Sequence, residues 1–214
     1  MNVYRVLGGA SGALWAAVAG VVALVTIGLF YWVGQPWGTI NDIAYLVMIL
    51  SLGPVMLAHY ELGGVVPLWP ARLSLAGALV VVAAWSVVQV AFIVGAVDFD
   101  YEHAATGAFA LSSLLQAGIG LWIAGASLLA GRWLPLGVRA LGIVAGTGTV
   151  LMSIGFLLGG LTNTLALVGG VGYGLVLPIW AYLLGRVFTA RAREAMRGGE
   201  VPAAGSWGFR RPGS

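Results

Sequence analysis

The chain has 214 residues, 60% hydrophobic and 8% charged, with a mean hydropathy of +0.99, against about 25% charged residues in an ordinary soluble domain. That balance leaves more apolar surface than one soluble core of this size can hide, so it excludes a soluble globular protein and points to an integral membrane protein. The absence of Cys removes disulfides, thiolate metal sites, iron–sulfur clusters and redox-active thiols, and the absence of Lys removes a retinal Schiff base.

A hydrocarbon core of about 30 Å needs about 20 helical residues, and six apolar stretches meet that length: residues 13–33, 43–59, 73–97, 104–130, 138–158 and 165–188. The first follows a single Arg and contains Ala-Ala-Val-Ala, as a secretory leader would. Its apolar run continues to Phe30, Tyr31 and Trp32, too far for a leader, and it reads as a retained span. The second carries Pro54 and the sixth Pro178, each predicting a kink where the proline ring displaces a backbone hydrogen bond. The third and fourth carry Gln89 and Gln116. Only six residues join these two stretches, so the helices should be neighbours with the amides about 6 Å apart in depth. That predicts an interhelical hydrogen bond, with the lining of a polar pocket as the alternative.

The connections, 34–42, 60–72, 98–103, 131–137 and 159–164, are too short for a folded extramembrane domain. They predict an all-α, polytopic, antiparallel bundle of six transmembrane helices over residues 1–188. Residues 189–197 read as a short basic helical extension beside anionic headgroups. Beyond Gly198 the chain turns to Gly, Pro, Ala and Ser, which cannot pack a core, so residues 189–214 form a basic cytoplasmic tail, mostly disordered after 198.

Orientation follows the arginines. Arg5 precedes the first span, Arg72 lies in the second connection, Arg132 and Arg139 flank the fourth, and Arg186, Arg191, Arg193, Arg197, Arg210 and Arg211 end the chain. All ten fall on one side, which the positive-inside rule makes cytoplasmic, with both termini there. The opposite face collects Asp42, Asp98, Asp100 and Glu102. Topology thus explains the positive charge, and no nucleic-acid partner is expected. The expected partners are the lipid bilayer and other membrane subunits or a second copy of the chain.

Few residues could carry chemistry. No charged side chain falls mid-span, which weighs against proton relays, ion-coupled transport and voltage sensing. His59 and His103 stand at opposite ends of the bundle, so they cannot share one haem. Either could be a single axial ligand to a pigment or haem, but the plainer reading is a histidine at the polar interface, and no cofactor is predicted. Asp98, Asp100, Glu102 and His103 lie within six residues. If extended, the three carboxylates would point together and could hold a hard divalent cation. A solvated outer loop is the plainer reading there too, and no catalytic residue is assigned. The glycine pairs Gly8 and Gly12, Gly142 and Gly146, Gly155 and Gly159, and Gly170 and Gly174 have the four-residue spacing that lets helix backbones approach closely.

In the second half, residues 134–143 (Leu-Pro-Leu-Gly-Val-Arg-Ala-Leu-Gly-Ile), Gly172-Tyr173-Gly174 and residues 180–186 (Trp-Ala-Tyr-Leu-Leu-Gly-Arg) resemble uncharacterised bacterial multi-helix membrane proteins of unknown function. The resemblance implies an inner-membrane location and no activity. Small loops, glycine pairs and the lack of buried charge lead to a non-enzymatic accessory or scaffolding subunit of a larger complex. The alternative is a small transporter or channel for a neutral or apolar solute, along Gln89, Gln116 and the two prolines. A membrane enzyme acting on lipid through the outer acidic loop ranks third.

Overall fold

The computed structural model describes residues 1–63, 68–97 and 106–198. Its first helix, α1 (Val3–Val33), begins well before the apolar stretch read from the sequence, because Asn2 caps it by accepting from the Arg5 backbone N–H at 3.3 Å. Gly34, at φ +84°, ends it, and its N–H bonds back to Phe30. Pro36 then opens α2 (Trp37–Leu62). This second helix therefore starts a turn and a half ahead of the expected position, and Asp42 lies inside it rather than in a connection. In the same way Arg72 belongs to α3 (Leu68–Ile93) and not to the loop before it.

The remaining elements are α4 (Gly107–Leu129), α5 (Leu136–Gly159), a 3-10 turn (Gly160–Thr162), α6 (Thr164–Val171), a π-helical turn (Gly172–Val176) and α7 (Leu177–Arg197). Asn163 caps α6 by accepting from the Leu165 N–H at 2.9 Å. Together α6, the π turn and α7 make one span, Thr164–Arg197, and six helices in all are long and apolar enough to cross a membrane. The described residues contain no strand.

The prolines behave differently from each other. Before Pro178 the helix widens into the π turn, a local rearrangement of the backbone next to a residue that has no N–H to give. At Pro54 α2 continues as α-helix. Both rings abut glycines of α1. A Cβ on Gly12 would lie 3.1 Å from Pro54 Cβ and 2.6 Å from the Ser51 carbonyl oxygen, and one on Gly20 would lie 2.8 Å from Pro178 Cγ.

The glycine spacing is only partly followed. Gly146 sits against Ala124 of α4, with a Cβ there 2.5 Å from the Ala124 nitrogen, and Gly155 sits against Ala166 of α6. Gly8 faces open space while Gly9 meets Ala58, and Gly170 makes only ordinary contact while Gly169 and Gly172 meet Gly148 and Met152. At Gly8 and Gly170 the contacting face is turned by a residue or two. The core between these helices is filled by Trp85, Trp180, Phe188, Ile49, Leu52 and Met56, all fully buried. Helix α1 packs on α2 and α7, and α5 on α4 and α6, whereas α3 rests mainly on α2 and α4.

Candidate functional site

A run of polar contacts gathers one end of the bundle. Arg5 pairs with Glu61, whose carboxylate also accepts from the Asn2 N–H at 3.1 Å. Arg72 Nε donates to the Tyr60 hydroxyl at 3.2 Å, Trp133 Nε1 donates to the Gly63 carbonyl, and Arg191 donates to the Trp133 carbonyl at 3.2 Å. Arg139 caps the end of α4, donating to the Ser127 and Leu128 carbonyls at 3.3 and 2.8 Å. Exposed ion pairs of this kind add little stability. Their effect is positional: they tie together neighbouring helix ends, those of α2, α3 and α4 around a common space.

That space is a cavity of about 560 Å³ between α2, α3 and α4, within the range of small-molecule sites. Met56, His59 and Tyr60 of α2, Ser74 of α3, and Trp122 and Gly125 of α4 form its principal walls. His59 stands edge-to-face with Trp122 at 5.6 Å and with Trp133 at 4.9 Å, and Trp133 stacks on Phe188 at 6.1 Å. The imidazole Nε2 is buried without a hydrogen-bond partner. His59, read from the sequence as a histidine at the polar interface, sits between the indoles of Trp122 and Trp133. The aromatic residues around it come from distant parts of the chain, and only the clustering of Tyr60 and Trp133 at one end could have pointed to them.

The two glutamines are both buried, but they are not bonded to each other. Gln89 Nε2 donates to the Asp42 carbonyl oxygen at 3.4 Å and to its Oδ1 at 3.5 Å, and Gln116 Nε2 has no partner. The reason is the early start of α2. It brings Asp42 into the bundle, where both its main-chain carbonyl and its carboxylate come within reach of the Gln89 amide. The polar link between α3 and α4 is instead Trp85 Nε1 donating to Ser112 Oγ at 3.0 Å, a pair that no spacing in the sequence marks.

Asp98, Asp100, Glu102 and His103 lie outside the described residues, as does the tail from residue 199. Among the described residues no group of three or more His, Cys, Asp or Glu side chains could hold a metal ion. A second cavity, of about 230 Å³, lies between α1, α2, α5 and α6. Tyr173 of the π turn stacks there on Tyr45 at 5.8 Å, and its hydroxyl reaches Met48 Sδ at 4.0 Å. π turns often occur at functional sites. No protein-family model, no curated protein and no solved structure matches this chain.

Proposed function

We propose that the chain is a non-enzymatic, multi-pass protein of a bacterial plasma membrane, with no cofactor of its own, that serves as an accessory or scaffolding subunit of a larger membrane complex. Its six spans run antiparallel with both termini in the cytoplasm, and its close helix contacts are made through glycine.

The observation that carries the reading is the outer face of α3. Leu73, Val80 and Val87, with Val94 just past the helix end, are 64, 67, 70 and 68% exposed at seven-residue intervals, and the small residues Ala76 and Ala83 lie exposed between them. Leu114, Leu121 and Leu128 of α4 repeat at the same interval, as any apolar outer face does, so it is the alanines exposed between the larger side chains of α3 that would let a second helix approach closely. A photo-crosslinking side chain placed at positions 73, 80 and 87 should give one common protein adduct in membranes, and positions 21 and 25 on α1 should give none. Equal yields at both sets of positions, or no protein adduct at any, would overturn the reading.

The orientation rests on the gathering of Arg5, Arg72, Arg139 and Arg191 at one end. Topology reporters inserted at Gly38 and Thr162 should read outside, and one after Arg197 inside. An outside signal after Arg197 would sink that assignment. The cavities favour a second reading, a small transporter or channel for a neutral or apolar solute. Solute flux through proteoliposomes of the purified monomer discriminates it from the first.

A further inference from the structure

We propose that the cavity between α2, α3 and α4 binds one neutral, ring-headed, lipid-soluble molecule of the isoprenoid quinone type. This is independent of the subunit role argued above. The cavity lies at the helix ends, where ring head groups of membrane-soluble molecules reside, and Leu121 and Leu129, which line it, are 64 and 45% exposed. A ligand can therefore reach it sideways from the bilayer.

Three features select the ligand. The first is the wall: Trp122, Tyr60 and His59 surround the space with flat faces and edges, and Met56 adds a polarizable thioether. Such a lining favours a flat ring over a flexible acyl chain. The second is the donors. The hydroxyls of Ser51, Ser86, Thr149, Ser153 and Thr189 all bond to the carbonyl four residues back. Ser74 makes no hydrogen bond, and neither does the Ser127 hydroxyl, but of the two only Ser74 lines the cavity with its proton available. Tyr60 accepts from Arg72, which leaves its own O–H free to donate. Two hydroxyl donors match a head group that carries carbonyl acceptors. The third is charge. Glu61 lines the cavity already paired with Arg5, and no Arg is among the described residues that line it, so its wall presents no cation to an anionic phospholipid head.

Gly125 supplies the test. It lines the cavity from the last turns of α4, and a Cβ there would meet nothing within 4 Å, so the side chain of Gly125→Leu can start into the space without a clash at its Cβ. Purified protein in detergent should show saturable quenching of tryptophan fluorescence by decylubiquinone. Gly125→Leu, eluting and melting like the parent, should bind about tenfold more weakly or worse, a loss that corresponds to one decade in Kd. Ser74→Leu, which fills the space from α3 and removes a donor, gives a second reading if Gly125→Leu does not fold. Unsaturable quenching, or equal saturation in parent and filled variants, would overturn the proposal. Displacement of decylubiquinone by phosphatidylglycerol in mixed micelles would overturn it as well, by assigning the cavity to a phospholipid.

Discussion

Gly155→Leu is expected to abolish recovery of folded protein from detergent-solubilised membranes, whereas Gly8→Leu should leave recovery unchanged. Both are helical glycines flanked by apolar residues, and the sequence rates them alike as members of four-residue pairs. The difference lies in what each one faces. A Cβ on Gly155 would lie 2.7 Å from Ala166 Cα, with the Ala166 nitrogen closer still, while Gly8 has nothing within 4 Å. The obstacle at Gly155 is backbone, which cannot rotate away as a side chain can, so α5 and α6 would have to part. Overpacking a well-filled interior costs about 1–3 kcal/mol and more where backbone is displaced, and native stabilities are only about 5–15 kcal/mol. Size-exclusion profiles and thermal unfolding of the two variants provide the check. A Gly155→Leu protein as monodisperse and heat-stable as the parent would show that α5 and α6 do not meet there.

The six spans were legible because length and hydropathy are local properties, and each stretch is long enough to cross a bilayer whatever it packs against. Their ends were less so. Apolar counting stops at the first polar residue, yet in α1 the turns containing Arg5 are helical because Asn2 satisfies a free N–H, and a cap adds no hydropathy. The same blindness placed Asp42 in a loop, and with it went the expected bond between Gln89 and Gln116. Both glutamines are buried within their helices. Their partners depend on how far α2 extends, which hydropathy does not report. Pro178 announced a local irregularity, and one is present as the π turn, but that Pro54 and Pro178 both rest on glycines of α1 is a tertiary fact without a local signal. The cavity was least legible of all. It arises where the ends of three helices diverge, and its walls pair residues such as Met56 and Gly125 that lie far apart in sequence.

Trp85→Ala should release α3 from the bundle, and the comparison with Trp85→Phe separates packing from hydrogen bonding. Trp85 is fully buried on a helix that rests mainly on α2 and α4, so its indole forms a large part of what holds that helix. Truncating a buried aromatic to Ala costs about 3–5 kcal/mol through lost contacts and the cavity left behind. In a bilayer the detached α3 would stay helical, and the loss would appear as weakened helix association instead of lost helicity. Trp85→Phe keeps most of the volume and removes only the bond to Ser112 Oγ, which should cost about 1 kcal/mol. Ser112→Ala leaves the indole N–H buried without an acceptor and should cost at least as much, because an orphaned donor is worse than a pair removed from both sides. The double variant Trp85→Phe with Ser112→Ala should therefore be less destabilised than the sum of the two single changes. Denaturation in mixed micelles, followed by accessibility of a cysteine introduced on α3, measures all four proteins. If Trp85→Ala falls within about 1 kcal/mol of Trp85→Phe, the anchor of α3 lies elsewhere, and its exposed heptad face cannot be treated as the surface of a firmly held helix.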